Sequence, residues 1–306
     1  MSNRNFKKGV SIIIPCARPN EHLGNLLESI HSQRGLNKDF IEVILIFNGH
    51  TEFMIDRFAD KLNKLKTKHK VRLFYSSVGS ASKARNIGLE ASTKDLICFC
   101  DDDDWIGVNY ISELYKIANT SSIAFAPIID VSMDGQRDFR EDINEFLKAD
   151  DPNDLHLYSR ALTLNACKLI PAIYAKEISF DENLMSGEDV VYFCEYLNRF
   201  LPRLVHTSHN DCCYYRLKTE NSTSRQSVSY DFNVEQRLDV IKKLVVLNSN
   251  NLNNFLQSKI NAQLSFLNKY FFQNPNTINS IQESFKSRGL SNLMVIKDGK
   301  FYINLS

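Results

Sequence analysis

The residue types best suited to chemistry are concentrated in one short stretch, where four aspartates occupy positions 101–104. They follow five apolar residues, 96–100, that are typical of a short buried strand, and they precede the only tryptophan, Trp105. At ~4 Å and an effective dielectric of ~20, each pair of like charges costs ~4 kcal/mol. A hard divalent cation is the usual way to offset such repulsion, although most acidic runs are solvated turns. The abrupt change from a buried strand to carboxylates favours a cation site.

A second pair of carboxylates, Glu188 and Asp189, lies far along the chain directly after Gly187. The residues that follow predict a helix reaching residue 200, so both carboxylates fall in its first turn. Acidic residues in that position commonly interact with the helix dipole, which is a structural role. The alternative is catalytic, because a carboxylate that faces an acceptor hydroxyl with a free lone pair can remove its proton.

Composition narrows the class of protein. Lys and Arg (37) almost balance Asp and Glu (36), so no global field recruits nucleic acid or an acidic membrane surface. The longest apolar runs are far shorter than the ~20 residues that span a bilayer. Residues 1–8 are polar and basic and lack the apolar core of a secretion signal. Seven cysteines without a CxxC pair favour a reducing compartment, so we expect a cytoplasmic protein.

One cluster of metal-binding residue types lies at His206, His209, Cys212 and Cys213. Its spacing matches no standard zinc finger, and adjacent cysteines on a strand point to opposite faces. Buried thiols are therefore the favoured interpretation, with a zinc site as the alternative.

The stretches around the acidic run alternate between strands and helices. Apolar and β-branched runs predict strands at residues 10–14, 41–47, 71–75, 96–100 and 123–129. Amphipathic spacing predicts helices at residues 21–33, 52–66, 80–91 and 110–118. This alternation indicates an α/β fold with a mostly parallel sheet, in which ligands bind beyond the carboxyl ends of the strands. Pro15, Asn48, residues 76–80 and the four aspartates fall at those ends, so we expect the active site there.

The last part of the chain has a different character. Helical patterns at residues 231–247 and 255–272 flank an Asn-rich stretch, and Asp298-Gly299 predicts a terminal hairpin. We predict a catalytic domain at residues 1–225 and a mainly helical region at residues 226–306. That region would pack against the first domain, form a homo-oligomer or contact the acceptor. Residues 138–154 are polar and acid-rich and are predicted to form a mobile loop over the site.

Several segments, taken in order, resemble family 2 glycosyltransferases of the GT-A fold, the large group of inverting sugar transferases common in bacteria. The resemblance covers residues 9–225. Any one motif is weak, but the ordered set is specific. The segments are VSIIIP at 10–15, ARNIG at 84–88, FCDDDDW at 99–105, KL at 168–169, FDE at 180–182 and GED at 187–189.

The resemblance implies a division of roles. A nucleotide-sugar donor, expected to carry UDP, would bind with a Mn²⁺ or Mg²⁺ ion on its diphosphate. Asp103 and Asp101 would hold the ion, Asp101 also contacting the ribose or sugar, while Asp104 supports them or serves the donor hydroxyls. Asp189 would be the base that takes the acceptor proton, and Glu188 would hold hydroxyl groups. The other donor-binding residues expected are Pro15, Arg18, Asn48, Arg85, Asp102 and Arg216.

A basic loop is expected near the diphosphate. Arg216, Lys218 and residues 222–224 could close over its oxygens, or they could form a plain surface loop. Many relatives carry His where Lys218 stands. A further departure is Asn48-Gly49-His50, which replaces a family segment that helps to read the base. Asn48 can still accept a hydrogen bond from a uracil N–H.

Two other functions compete with sugar transfer. One is a sugar-phosphate nucleotidylyltransferase, but that class usually has a Gly-rich loop after its first strand, and residues 16–20 contain no glycine. The other is a non-catalytic module that binds a nucleotide-sugar. For a transferase, the resemblance implies a glycan or lipid-linked acceptor in surface polysaccharide synthesis. Such an acceptor would place the protein peripherally at the cytoplasmic face of the membrane.

Overall fold

The computed structural model describes residues 6–17, 21–37, 39–49, 69–218, 227–247 and 252–305. The helix predicted at residues 52–66, Arg18 and residues 222–224 lie outside these ranges. By packing, the chain divides into two compact units. The first comprises Met1–Phe180 and Leu201–Thr219, and the second comprises Asp181–Phe200 and Glu220–Ser306. The boundary predicted at residue 225 remains a prediction, and the packing places residues 181–200 with the C-terminal region.

The first unit alternates strands and helices as predicted. Its strands are β1 (Lys7–Cys16), β2 (Ile41–Asn48), β3 (Lys70–Ser76), β4 (Lys94–Phe99), β5 (Trp105–Ile106), β6 (Ser122–Phe125), β7 (Ile128–Ser132), β8 (Arg137–Asp138), β9 (Lys168–Pro171), β10 (Arg203–His206) and β11 (Tyr214–Lys218). Its helices are α1 (Glu21–His31), α2 (Ala81–Ala91), α3 (Tyr110–Ile117), α4 (Leu155–Leu162) and α5 (Ala172–Ala175), with a 3-10 helix at Asn144–Lys148.

Within the described ranges, seven strands form the main sheet, in the order β10-β6-β9-β4-β1-β2-β3. β4, β1, β2 and β3 are parallel, and β9 runs antiparallel to both of its neighbours. All eight residues of β2 are buried, so this strand is covered on both faces. Helix α2 packs closely on the sheet, since a Cβ on Gly88 would lie 2.3 Å from Cγ2 of Ile13. This close packing fixes the helix that carries Arg85.

A smaller sheet in the same unit has the order β5-β11-β7-β8. The prediction of one strand at residues 123–129 is wrong, because β6 ends at Phe125 and β7 begins at Ile128, each in a different sheet. Pro127 lies between them and has no N–H for a ladder, while its carbonyl accepts a hydrogen bond from the Tyr214 N–H (2.8 Å). Both strands are mostly buried, so the continuous apolar run concealed the change of sheet.

The mobile loop predicted at residues 138–154 contains regular structure. Phe146 in its 3-10 helix is fully buried, with its ring 5.6 Å from that of Phe125 and 5.7 Å from that of Tyr158. The Asn144 side chain accepts a hydrogen bond from the Ile128 N–H and donates one to the Ile128 carbonyl (2.9 and 2.8 Å). These contacts hold the segment against β7, so the prediction was wrong for this part.

The second unit is mainly helical, as predicted. It contains α6 (Glu188–Phe200), a π-helical turn (Asp231–Glu235), α7 (Gln236–Val246), α8 (Asn253–Gln273), α9 (Ile278–Ser287), β12 (Met294–Lys297) and β13 (Lys300–Ile303). β12 and β13 form the predicted hairpin, whose turn has positive φ at Asp298 (49°) and Gly299 (69°). Among helices in the described ranges, none combines the length and apolar character of a membrane span.

Candidate active site

The sheet brings several of the predicted donor-binding residues to one edge. Residue Ile13 of β1 pairs with Phe99 of β4, and Pro15 pairs with Ile46 of β2. The carboxyl ends of these parallel strands therefore lie side by side, with Pro15, Asn48 and Asp101 at or just beyond them. Pro15 is buried and Asn48 is 4% exposed.

The four aspartates form a turn where the β4 ladder ends. The Cys100 N–H still donates to the Ile13 carbonyl (3.1 Å), and the Asp104 N–H then donates back to the Asp101 carbonyl (3.3 Å). The turn crowds four carboxylates together, but it does not expose them equally. The first three are partly exposed, whereas Asp104 is buried. The run is therefore divided into an accessible part and an internal part.

Among the accessible aspartates, Asp103 shows the effect of the crowded negative charge. Burial, together with the charges of Asp101 and Asp102, raises the pKa of Asp103 to about 6, although His22 on α1 acts in the opposite direction. A carboxylate in such surroundings holds a proton well above the usual range for aspartate. A cation that binds there would take the place of that proton.

Asp101 has a cationic partner on α2. Nη2 of Arg85 lies 3.2 Å from Oδ1 of Asp101, and the Arg85 side chain is almost fully buried. The same guanidinium lies over the Phe180 ring, 5.5 Å from its centroid. The Asp101 side chain is 43% exposed, so it can face a ligand while Arg85 orients it.

Asp104 is held inside the first unit by neutral donors. Its carboxylate accepts hydrogen bonds from the Tyr214 hydroxyl (2.7 Å) and the Leu217 N–H (2.9 Å), and the Tyr214 oxygen accepts one from the Asp101 N–H (3.1 Å). Burial, together with the charges of Asp101 and Asp103, raises the pKa of Asp104 well above its usual value. This geometry favours the supporting role for Asp104 over contact with the donor. Sequence reasoning did not assign a role to Tyr214.

Arg216 and Lys218 converge on a carboxylate that the sequence did not single out. Asp130 is fully buried, and both of its oxygens accept hydrogen bonds from Arg216 (2.8 and 3.1 Å). Arg140 and Lys218 place nitrogens 2.8 and 3.3 Å from it. Burial alone would raise the pKa of Asp130, but the hydrogen bonds from Arg216 and Arg140 outweigh it and the pKa is lowered. The guanidinium predicted to bind the diphosphate is thus already bound to Asp130.

Glu188 and Asp189 begin α6 in the second unit. Gly187 before them has φ +77°, and a Cβ at that position would lie 2.8 Å from Cγ2 of Val240. Both the backbone angle and the lack of space therefore require glycine. Oδ1 of Asp189 accepts a hydrogen bond from the Val190 N–H (2.8 Å). The roles of Glu188 and Asp189 in catalysis remain predictions.

The cysteines after the two histidines are buried thiols, as the favoured interpretation predicted. Sγ of Cys212 lies 3.6 Å from the Tyr110 carbonyl oxygen, in the interior. His206 instead faces Tyr158, with Nδ1 2.7 Å from the tyrosine hydroxyl.

The accessible part of the acidic run fits a divalent ion that is shared with a substrate. Ions of the Mg²⁺ type are usually held by one or two carboxylates plus substrate phosphates. Asp103 and Asp101, the predicted ligands, would supply that number. Across the described ranges, no group of three or more His, Cys, Asp or Glu side chains is arranged to hold a metal ion.

Known proteins with similar sequences are glycosyltransferases. The chain is 27% identical over 107 residues to the glycosyltransferase GlyA of Streptococcus pneumoniae, covering 35% of this chain and 14% of GlyA. It is 30% identical over 127 residues to an uncharacterized glycosyltransferase of Haemophilus influenzae, covering 39% of this chain and 48% of that protein. The matches therefore span less than half the length of these relatives.

Solved structures share the fold over nearly the whole chain. S. aureus TarS 1–349 in complex with UDP-GlcNAc superposes with a TM-score of 0.66 at 19% identity, covering 97% of each chain. The mannosyltransferase PcManGT from Pyrobaculum calidifontis in complex with GDP-Man and Mn²⁺ gives 0.58 at 9% identity, covering 94% of this chain and 85% of that one. At these identities the likeness shows the fold, and the predicted GT-A fold is confirmed.

The family model described as Glycosyl transferase family 2 matches residues 11–179, which is more than half of the chain and includes most of β1, all of α2 and the acidic run. The chain therefore belongs to glycosyl transferase family 2.

Proposed function

We propose that this protein is an inverting glycosyltransferase that moves a sugar from a nucleotide-sugar to a hydroxyl group of its acceptor. The observation that carries the proposal is the crowding of carboxylates at the end of β4, where Asp103 has a pKa of about 6. Family membership supports it, as do the UDP-GlcNAc bound to TarS and the GDP-Man and Mn²⁺ bound to PcManGT. UDP is the expected nucleotide.

On the donor side, each residue has a distinct task. A Mn²⁺ or Mg²⁺ ion held by Asp103 and Asp101 would neutralise the charge that grows on the diphosphate as the anomeric bond breaks. Arg85 holds the Asp101 carboxylate in place through their ion pair (3.2 Å). Asn48 and Pro15 line the strand ends, where the Asn48 amide oxygen can accept a hydrogen bond from a base N–H. Asp102 adds negative charge to Asp103.

The basic group around Asp130 is the proposed source of positive charge near the phosphates. Arg140, Arg216 and Lys218 all contact this one buried carboxylate, and Lys218 also lies 3.2 Å from Asp138. Arg216 would therefore act from a fixed position, set by its two hydrogen bonds to Asp130. This differs from a loop that closes freely over the donor.

On the acceptor side, the proposed base is Asp189. Inversion requires that the acceptor hydroxyl attack the anomeric carbon from the face opposite the diphosphate, and a base must take its proton as it does so. Glu188 would hold a hydroxyl group of the acceptor or donor. The proposed acceptor is a glycan or lipid-linked molecule of bacterial surface polysaccharide synthesis, at the cytoplasmic face of the membrane.

A panel of nucleotide-sugars, each tested by thermal shift with and without Mn²⁺, addresses the donor and the metal together. We expect one donor to raise the melting temperature only when Mn²⁺ is present, because a ligand that binds the folded state stabilises it. Release of free nucleotide from that donor, with sugar transfer to an acceptor, would complete the support.

Two other outcomes would contradict the proposal. Release of pyrophosphate from a nucleoside triphosphate and a sugar phosphate would favour a nucleotidylyltransferase. Tight binding of a nucleotide-sugar without hydrolysis or transfer, across an acceptor panel, would favour a non-catalytic binding module.

A further inference from the structure

A buried arginine lies behind the proposed base in the second unit. Arg237, on α7, is 5% exposed, and its guanidinium lies over two aromatic rings, 4.5 Å from the Phe232 centroid and 5.2 Å from the Phe266 centroid. It donates hydrogen bonds to the Phe232 carbonyl (3.1 Å), Oε1 of Gln263 (3.2 Å) and Oγ of Ser186. These acceptors are all neutral. A charge removed from water in this way is costly, and neutral contacts offset the cost only in part.

The contacts of Arg237 fix the turn that enters α6. Ser186 immediately precedes Gly187, and its hydroxyl also donates to Oε1 of Gln236 (2.7 Å). Gly187 itself lies against Val240, one turn further along α7. Helix α7 thus holds two consecutive residues of the turn, one by hydrogen bonds and one by van der Waals contact. The direction in which α6 starts, with Glu188 and Asp189 in its first turn, follows from this contact.

The charge of Arg237 also acts on the two carboxylates. Burial lowers the pKa of Arg237, whereas the nearby charges of Asp189 and Glu188 act to raise it. Lys259 of α8 is a further charged group in this region, because it acts, like Asp189, on the buried Cys194 thiol of α6. The charged groups of this region thus include Glu188 beside Asp189, Arg237 from α7 and Lys259 from α8.

We propose that Arg237 is a positioning residue for the reaction: it fixes the Ser186-Gly187 turn and places a positive charge near Asp189. The inference rests on the proposed function, because it assumes that Asp189 removes the acceptor proton. It also gives part of the region after residue 226 a task in catalysis that none of its sequence patterns indicates.

The test compares Arg237→Met, Arg237→Lys and the matched control Arg288→Met by their pH profiles of kcat. Arg288 also forms ion pairs with this part of the chain, with Glu235 just before α7 (2.8 Å) and with Asp239 in α7 (2.7 Å). It does not contact Ser186. Donor and Mn²⁺ are kept saturating, so that titration of Asp103 does not set the acidic limb. Donor affinity is measured separately by thermal shift.

For Arg237→Met we expect a fall in kcat of roughly tenfold or more at pH 7. The acidic limb should move up by about one pH unit, because loss of a nearby positive charge disfavours the ionised carboxylate. Arg237→Lys keeps the charge but not the fork of hydrogen bonds, so kcat should fall less and the limb should stay in place. Arg288→Met should match the wild type, and donor affinity should be unchanged throughout.

An unchanged acidic limb in Arg237→Met would overturn the inference, even if the rate fell, because a purely structural role predicts that result. If Arg237→Met does not fold, Arg237→Lys and Ser186→Ala decide, and a wild-type kcat in both would overturn it. Asp189→Asn distinguishes a failure of the proposed function from a failure of the inference about Arg237. If Asp189→Asn is fully active, the proposed base is wrong; if it is inactive while Arg237→Met is normal, only the inference about Arg237 fails.

Discussion

The two carboxylate groups that the sequence singled out have opposite electrostatic surroundings. In the acidic run, four carboxyl groups are crowded together, one arginine pairs with the first, and the pKa of Asp103 is raised to about 6. At the start of α6, Glu188 and Asp189 occupy a helix N-terminus and act on a buried guanidinium. Surroundings of the first kind favour binding of a cation, whereas those of the second kind combine two carboxylates with a nearby positive charge. On the proposed roles, charge balance would distinguish a metal-binding carboxylate from a base where residue type does not.

The largest effects are expected when one carboxylate of each group is neutralised. Asp189→Asn should lower transfer by about 10²–10⁴-fold, the usual contribution of a general base, and should leave Mn²⁺-dependent donor binding intact. Transfer assays and donor thermal shifts measure the two effects. Asp103→Asn is the control, and it should lose the Mn²⁺-dependent shift itself. Normal turnover in Asp189→Asn would show that Asp189 is not the base.

A smaller effect should follow from removing the neutral donor that holds Asp104. Tyr214→Phe deletes the hydroxyl that donates to Oδ2 of Asp104 and accepts from the Asp101 N–H. We expect a loss of about 1–3 kcal/mol in the free energy of unfolding, because a buried carboxylate then lacks one donor. Urea denaturation measures it.

The neighbouring residue provides the control for that change. Tyr215 lies on the same strand, where its ring stacks on Trp105 at 5.5 Å. Tyr215→Phe keeps the stacked ring, so it should change stability much less. Equal losses in the two variants would show that Asp104 does not depend on the Tyr214 hydroxyl.

The smallest expected effects are on the melting temperature, and they have opposite signs for a substitution in the acidic run and one at the start of α6. The pKa of Asp103 is raised from 3.8 to about 6, so the folded state holds that proton more tightly than the unfolded chain does. This contribution to stability is complete below about pH 4 and is lost as the pH rises to about 6. Asp103→Asn should therefore raise the melting temperature of the metal-free protein at pH 7.5, by about 2 °C or more, and change it little at pH 4.

For the other group, Asp189→Asn should lower the melting temperature slightly at pH 7.5. An ionised carboxylate in a first helical turn stabilises the helix by about 0.3–1 kcal/mol, and the amide loses that interaction. Differential scanning calorimetry of both variants at the two pH values measures the contrast. Shifts of the same sign at pH 7.5 would contradict the distinction between the two groups.

The sequence located the acidic run correctly because its position depends on local patterns. The alternation of strands and helices predicted a parallel sheet, and the end of an apolar run predicted where β4 stops. Arg85 was found through its motif, and it does pair with Asp101. These features depend on residues that are close in sequence or on a fold whose rules are general.

The residues that position the site through long-range contacts could not be predicted from local sequence patterns. Asp104 and Tyr214 are 110 residues apart, and Asp130 and Arg216 are 86 residues apart. Nothing in the local pattern of β7 indicates that its one aspartate, Asp130, would contact three cationic side chains. The change of sheet at Pro127 was missed because buried strands on either side look like one apolar run. Tertiary packing, rather than periodicity, determines all of these.

The hydrogen bonds of Asp104 link the acidic turn to β11, a strand that is distant in sequence. Its carboxylate holds the backbone of β11 at Leu217, and the charges of Asp101 and Asp103 disfavour its ionised form. A ligand that neutralised those charges would favour ionised Asp104 and strengthen its hydrogen bond to the Leu217 N–H. By reciprocity, whatever orders β11 raises the affinity for that ligand by the same factor. We therefore expect occupancy of the acidic turn and the order of β11 to be thermodynamically coupled through Asp104.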